Sequence, residues 1–207
     1  MPKAKKCHAD SPIQVAELVI EHDGWEKEIS SLELLCGAIC NKVLNHHESA
    51  NSKIIILLSD NAAVQKLNFE WRGQNKPTNV LSFPNIDPDY ALKRFPKSVK
   101  RFSDKKRGKQ RNLEPHSDSI RMGYALGDIA MAFEYCEAEA IGQGKTFKNH
   151  FAHLLIHGVL HLLGYDHINE TEAEEMESLE AEILRDFGIA DPYLIVDNRD
   201  KEAEGVN

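Results

Sequence analysis

The sequence is poor in cysteine and has no apolar stretch long enough to cross a membrane. Its four cysteines in 207 residues include no Cys-x-x-Cys pair, which argues against a disulfide scaffold and favours reduced thiols in a cytosolic protein. The longest apolar run, 151–165, is too short to span a bilayer and contains three histidines. No hydrophobic signal core follows the basic N-terminus. These absences predict a soluble, cytoplasmic chain that is not exported.

The chain also lacks an overall positive charge. Its formal net charge is −8, so the protein as a whole is not an obvious binder of polyanions. This average hides a local excess, because residues 93–111 carry ten Lys or Arg and one acid, Asp104. That segment is therefore +9, which leaves −17 for the rest of the chain. It lies within a longer stretch, 86–121, that has no apolar periodicity and is typical of a functional loop or of disorder.

The remaining apolar residues are patterned as the strands and helices of one ordinary domain. We predict strands at 13–20, 53–59, 78–83 and 124–133 from their β-branched and apolar runs. Helices are predicted from about 32 to 47, from 60 or 61 to 70, from 146 to 163 and from about 171 to 187. Two sequences, 30–33 and 171–174, are typical of capping boxes and predict helix starts.

Three histidines fall between residues 157 and 167. His157 and His161 are four apart, so on a helix they project from the same face, one turn apart, and can reach one metal ion. Gly164 lets the chain leave the helix in a left-handed conformation, so that the next turn returns His167 to the same point. Three neutral imidazoles around a tetrahedral ion leave a fourth position for water, as in catalytic zinc sites. The spacing therefore predicts an open site for zinc, or for nickel or copper.

Other polar residues lie close to this cluster in sequence. His150 and His153 fall on the same helix face, and we interpret them as lining or hydrogen-bonding residues rather than as a fourth ligand. Asp166 could orient a ligand or simply cap the turn. A single buried histidine is usually a hydrogen-bonded core residue, but three at this spacing favour metal binding.

The same spacing occurs in zinc peptidases of the metzincin type, which carry a glutamate general base directly after the first histidine. Here that position is Gly158, which cannot accept a proton, so the sequence argues against ordinary proteolysis. Another group must then stabilise charge on the substrate. Arg72 precedes a turn stiffened by proline, and its guanidinium could hold a phosphate bidentately. The alternative is an exposed arginine in a loop.

These segments together resemble the YbeY family of bacterial endoribonucleases. The stretch from His153 to His167, HLLIHGVLHLLGYDH, is similar to the family's histidine motif. Arg72-Gly73 followed by KPTNVLSFP at 76–84 is similar to a second signature, and LGDI at 126–129 matches a third. The resemblance covers roughly residues 12–190.

The resemblance implies an α/β fold in a single domain at 12–190, with a small mixed sheet of about four strands, surrounding helices and a metal cleft beside the histidine helix. A flexible N-terminus, 1–11, and a polar C-terminal tail, 191–207, would flank it. His157, His161 and His167 would bind one zinc ion, and Arg72 would be the arginine needed for cleavage. The implied function is a metal-dependent endoribonuclease acting on single-stranded RNA. It would mature the 3′ end of small-subunit ribosomal RNA and act in ribosome quality control, with no DNA or membrane partner.

The chain departs from the family pattern in two places. Asn79 stands where the family usually has aspartate, which removes a charge and an acceptor near Arg72. The segment 86–121 is a basic insertion, longer than the usual short connection. Its charges could contact phosphates or could form a solvated basic loop.

Two other functions compete with the ribonuclease. The first is a metallopeptidase-like hydrolase, which lacks its glutamate. The second is a ribosome-associated RNA-binding assembly factor whose metal is mainly structural. Loss of RNA cleavage on changing a single ligand, with RNA binding retained, would distinguish the enzyme from the binding protein.

Overall fold

Four strands form one mixed sheet in the computed structural model, which describes residues 15–47, 52–85 and 125–194. The strands are β1 (Ala16–Ile20), β2 (Lys53–Ser59), β3 (Val80–Pro84) and β4 (Ala125–Ala132). Their order is β1-β2-β4-β3, with β1, β2 and β4 parallel and β3 antiparallel to β4. This confirms the predicted mixed sheet. Because β3 is an edge strand, it can include Pro84, whose nitrogen has no hydrogen to donate.

Six helices surround the sheet within the described ranges. They are α1 (Gly24–Glu28), α2 (Leu32–His46), α3 (Asn61–Arg72), α4 (Phe133–Gly142), α5 (Phe147–Leu162) and α6 (Glu170–Asp186). Helix α5 is the central one, since it contacts β3 and β4 and also packs against α2, α4 and α6. Helix α3 lies against β4. The predicted α/β architecture with surrounding helices is therefore confirmed.

The core is divided between the two faces of the sheet because side chains alternate along each strand. One face of β2 and β4 carries large apolar residues that pack with α2 and α5, namely Ile54, Ile56, Leu58, Ile129 and Met131, all 0% exposed. The other face carries a smaller cluster under α3, made of Val64, Leu81, Ala130 and Ala132. The continuous apolar run of β2 suggested a strand buried on both faces. Ile55 is 42% exposed, however, so one face of β2 is partly open to solvent.

Two helices escaped the sequence prediction. Helix α4 follows β4 with no intervening loop, and Phe133, which we assigned to the strand, is its first residue. Its buried positions include only Phe133, Cys136 and Ala140, so small residues gave it a weak apolar pattern. The second, α1, is a five-residue helix whose buried residue is Trp25.

Both predicted capping boxes were wrong, although the helices themselves are present. Helix α2 is preceded by Ser31 at φ 65°, and no side chain caps its first turn. Helix α6 begins one residue before Thr171, because the side chain of Asn169 accepts a hydrogen bond from the backbone N–H of Glu172. Helix α3 is capped by Asp60, which accepts from the N–H of Ala63, in agreement with the predicted helix start at 60 or 61.

Several predictions concern residues outside the described ranges: the N-terminus 1–11, the insertion 86–121, Cys7 and most of the tail 191–207. The three cysteines within the described ranges are free and buried, in agreement with reduced thiols; they are Cys36, Cys40 and Cys136. No helix in the described part of the chain is both long and apolar enough to cross a bilayer.

Candidate metal centre

Helix α5 fixes two of the three candidate ligands. Thr146 caps it by accepting a hydrogen bond from the N–H of Asn149 at 3.2 Å, which agrees with the predicted helix start at about 146. Most of its other residues are buried, so the helix cannot rotate about its axis without exposing apolar surface. His157 and His161, one turn apart, are half-buried, and their Nε2 atoms are 3.0 Å apart.

The turn after α5 brings the third histidine to the other two. Gly164 has φ 92°, a left-handed conformation that glycine adopts without steric cost. The ring centroid of His167 then lies 5.5 Å from that of His157 and 5.2 Å from that of His161. One ligand atom from each of the three rings lies within 4.8 Å of the others, and in the described residues no other histidine, cysteine or carboxylate joins this group.

The hydrogen bonds of two rings orient their lone pairs toward a cation. Nδ1 of His157 lies 2.8 Å from Oε1 of Glu180, and Nδ1 of His161 lies 2.9 Å from the carbonyl oxygen of Tyr165. Both partners are acceptors, so each Nδ1 donates and each neutral ring keeps its lone pair on Nε2. Two lone pairs 3.0 Å apart repel each other unless a cation lies between them. Nitrogen ligands of a tetrahedral zinc ion, each bonded at about 2.0–2.1 Å, would be roughly 3.3 Å apart, so the donor set fits such an ion.

The environment also opposes protonation of these rings. Burial, together with the neighbouring His157, lowers the pKa of His161 to about 4, although the carbonyl of Tyr165 acts in the opposite direction. A neutral imidazole is the form that coordinates a metal. Burial and the adjacent imidazoles thus keep His161 ready to bind at neutral pH.

A buried carboxylate that the sequence analysis missed lies behind the cluster. Glu180, on α6, is 0% exposed, and its two oxygens contact His157, His153 and the hydroxyl of Tyr193. Burial raises the pKa of Glu180, but the hydrogen bonds from His153 and His157 outweigh it and lower the pKa to about 2. An ionised carboxylate on Nδ1 of a metal-binding histidine fixes its tautomer and increases its basicity.

The sequence did contain a signal for Glu180. The residue lies four after Met176 and three before Ile183, so it occupies a position within the apolar stripe of α6. A carboxylate on a core-facing position needs partners, and the histidines of α5 supply them. Tyr193 gave no comparable signal, because it lies in the stretch we assigned to the polar tail.

A cleft of about 300 Å³ is lined both by the three histidines and by Arg72, the other predicted site residue. Its walls include Arg72, Thr78, Asn79, Ser82, His153, His157, His161, His167 and Tyr193. Arg72 is exposed at the C-terminal end of α3, where Gly73 ends the helix with φ 69°. The chain then returns to β3 through a turn that Asn68 holds by donating to the carbonyl of Lys76 at 2.8 Å. The structure therefore places Arg72 on the same cleft as the three histidines.

Both polar atoms of the Asn79 side chain form hydrogen bonds within the protein. Its oxygen accepts from the N–H of Val80 at 2.7 Å, and its nitrogen donates to Glu139 at 2.9 Å. The same oxygen of Glu139 lies 3.0 Å from Nε2 of His150, which is 2% exposed. An amide suits this position because it can donate to a carboxylate, which an aspartate ionised at neutral pH cannot do.

The two additional histidines of α5 have separate roles in the structure. His150 is buried and contacts Glu139, and it does not line the cleft. His153 lines the cleft, with Nε2 placed 2.9 Å from Glu180. Asp166 accepts from the N–H of His167 at 2.9 Å and so caps the turn locally.

Comparison with known proteins places this chain in a family. The family model described as Endoribonuclease YbeY matches residues 20–188. A Rhodopseudomonas palustris (strain BisA53) protein named endoribonuclease YbeY is 38% identical over 187 residues, covering 90% of this chain and 94% of that protein. A Paramagnetospirillum magneticum protein of the same name is 40% identical over 171 residues, covering 82% and 89%. The solution structure of a Thermotoga maritima protein aligns over 89% of this chain and 99% of that one, with a TM-score of 0.47 and 17% identity.

Proposed function

The chain belongs to the endoribonuclease YbeY family, and on this basis we propose that it is a metal-dependent endoribonuclease that cleaves single-stranded RNA in the cleft between α5 and β3. The observation that carries the proposal is the convergence of three imidazoles and one guanidinium on one cleft. A transition-metal site beside a cation is suited to a phosphodiester, which is anionic and gains charge in its transition state.

In this proposal His157, His161 and His167 hold one zinc ion, or another divalent transition metal, through a nitrogen of each ring. When bound, zinc lowers the pKa of water to about 7 and polarises a phosphate oxygen. Glu180 and the carbonyl of Tyr165 keep two of the rings in the tautomer that leaves Nε2 free. The protein thus supplies an arrangement of ligands that needs little adjustment when the ion binds.

Arg72 is the proposed group that binds and stabilises the scissile phosphate. Its guanidinium can donate two parallel hydrogen bonds to phosphate oxygens, and it is charged at every physiological pH. It lines the cleft from α3, whereas the histidines line it from α5 and the following turn. A phosphate bound in the cleft would therefore lie between Arg72 and the three histidines that would hold the metal.

The cleft does not support the metallopeptidase alternative. A Cβ at Gly158 would lie 3.2 Å from Ile129 and 3.3 Å from both Val80 and the hydroxyl of Ser82, which donates to the carbonyl of Gly158. The glutamate base of a metzincin would need space at this position, and the edge of the sheet fills it. A side chain at this position would require these neighbours to shift by a few tenths of an ångström, so packing as well as sequence argues against peptide hydrolysis through that base.

We further propose that the RNA is a ribosomal RNA precursor, cleaved near the 3′ end of the small-subunit RNA in the cytoplasm, with a role in ribosome quality control. The names of the relatives support the RNA substrate. The basic segment 93–111 would supply phosphate contacts on the ribosome or its precursor RNA.

The decisive experiment compares wild-type protein with His161→Ala, purified side by side, on a labelled single-stranded RNA. Zinc content, RNA binding and cleavage are measured on both proteins. The proposal expects binding by both proteins and cleavage only by the wild type. If the chain is instead an assembly factor with a structural metal, both proteins should bind RNA and neither should cleave it.

A further inference from the structure

The protein has two tryptophans in opposite environments. Trp25 is 0% exposed in the core, whereas Trp71 is 69% exposed near the end of α3. Trp71 continues the stripe of α3 that faces the sheet, since it lies three residues after Asn68 and seven after Val64. Most of the surface of this large aromatic side chain nevertheless stays in solvent.

The indole of Trp71 has a defined neighbour. Its ring centroid lies 5.7 Å from that of Phe83 on β3, with the two planes inclined at 61°. An edge contact of this kind restrains the orientation of a ring while leaving its faces available. Trp71 is therefore an exposed aromatic platform supported from one side.

This platform adjoins the cleft across the edge strand of the sheet. Ser82 lines the cleft, and Phe83, the next residue of β3, contacts Trp71. Successive side chains point to opposite faces of a strand, so only the width of β3 separates the two surfaces. Arg72 follows Trp71 directly and lines the cleft. An RNA strand passing along the edge of the described sheet at β3 could contact both surfaces.

A cationic side chain follows the ring directly, since Arg72 is the next residue and is exposed. The acids Glu70 and Asp128 are exposed as well, the second opposite Phe83 on β4, so the positive charge near Trp71 comes from Arg72 and is not a general basic excess. Proteins bind single-stranded nucleic acid without reading its sequence by combining exposed aromatic rings with cationic side chains.

We propose that Trp71 stacks on a base of the bound single-stranded RNA, next to the phosphate held by Arg72 and the metal site. The inference rests on the proposed ribonuclease function and adds a base-binding surface to it. Every base has a π-face, so this contact tolerates any sequence but requires an unpaired base. It would make the cleft selective for single strands, because a base within a duplex is stacked between its neighbours.

Tryptophan fluorescence gives a direct test, because Trp25 is buried and serves as an internal reference. We expect oligoadenylate to quench the emission of Trp71 when wild-type protein and RNA are mixed in a stopped-flow instrument. An abasic ribose-phosphate chain of the same length should bind more weakly and leave the emission unchanged. Trp71→Phe should lose the quenching and keep part of the affinity, since phenylalanine retains an aromatic face.

Kinetics separate stacking from chemistry. Trp71→Ala should raise the KM for single-stranded RNA about ten-fold, equivalent to about 1.4 kcal/mol, within the range known for base stacking. Its kcat and the salt dependence of binding should stay at wild-type values, because no phosphate contact is lost. Leu34→Ala is the matched control, since Leu34 is 75% exposed on α2 and does not line the cleft.

The outcomes distinguish this inference from the function on which it rests. Cleavage by wild-type protein with no quenching, and an unchanged KM in Trp71→Ala, would overturn the stacking contact and leave the ribonuclease intact. Absence of any RNA cleavage would overturn both. Trp71 emission that changes with protein concentration in the absence of RNA would assign the ring to a contact between copies of the chain, and would also overturn the inference.

Discussion

The two halves of the cleft are built in opposite ways. The histidine half consists of His157, His161 and His167 with Glu180 behind them. The rings of His157 and His161 are held by short hydrogen bonds to α6 and to the turn after α5. The arginine half consists of Arg72 and the turn 73–79 that leads into β3, and residues 71–76 are exposed. Two rings of the first half are half-buried and preorganised, and only His167 is exposed there, whereas the second half is open to solvent.

This difference indicates a division of roles. Metal ligands must converge within a few tenths of an ångström, which requires rings held by packing and by partners on Nδ1. A guanidinium that grips an incoming phosphate must be reachable from solvent, and its long side chain adapts to the substrate. We therefore expect substitutions in the histidine half to affect metal and stability, and those in the arginine half to affect chemistry alone.

The largest effect should come from removing a ligand. His161→Ala should abolish cleavage and lose nearly all of the roughly one zinc ion per chain, and it should lower the melting temperature because metal binding stabilises the folded state. Metal analysis and thermal denaturation measure these changes. His46→Ala, which removes an exposed histidine of α2 outside the cluster, is the control. Full zinc content in His161→Ala would show that the ligand set is wrong.

Arg72→Ala should have the next largest effect and should act on chemistry alone. We expect cleavage to fall by about 10²- to 10³-fold, as when a preorganised donor to the transition state is removed, with zinc content and melting temperature unchanged. Arg72→Lys should recover part of the activity, because an ammonium group cannot make the bidentate contact.

Arg185→Ala is the matched control for Arg72→Ala. Arg185 is also an exposed arginine in the last turn of a helix, here α6, but it does not line the cleft. Cleavage at the wild-type rate by Arg72→Ala with metal bound would show that Arg72 takes no part in the reaction. Loss of zinc from the same variant would contradict the division between the two halves.

Glu180→Gln should weaken the histidine half without destroying it. The amide keeps the size of the side chain but loses the charge that stabilises the Nδ1–H of His157, so zinc affinity should fall about 10- to 100-fold. Competition with a chelator measures this affinity, and Glu182→Gln, an exposed neighbour on α6, is the control. Unchanged affinity would mean that Glu180 serves packing of α6 alone.

The smallest effect on the cleft should follow deletion of residues 93–111. Zinc content, melting temperature and kcat should stay at wild-type values, because the segment has no core periodicity. RNA binding should weaken and its dependence on salt should flatten, since fewer phosphates are neutralised. Titrations at several salt concentrations test this, and an unchanged slope would show that the basic residues do not meet RNA.

The sequence by itself determined the local geometry of the histidine half. The four-residue spacing of His157 and His161 and the bend at Gly164 depend on the period of one helix and the conformational freedom of one residue. Strands β2 and β4 and the start of α5 were predictable for the same reason, because their signals lie in consecutive residues. The resemblance to known ribonucleases added Arg72 and the mixed sheet.

Only the tertiary structure decided which distant residues share the cleft. Glu180 meets His157 across 23 residues, and Arg72 lines the cleft together with a histidine, His167, far away in the chain. These proximities follow from burying the faces of the sheet, which places β3 beside β4, packs α5 against both and sets α6 behind α5. No periodicity encodes such contacts, because they depend on how several apolar faces are covered at once.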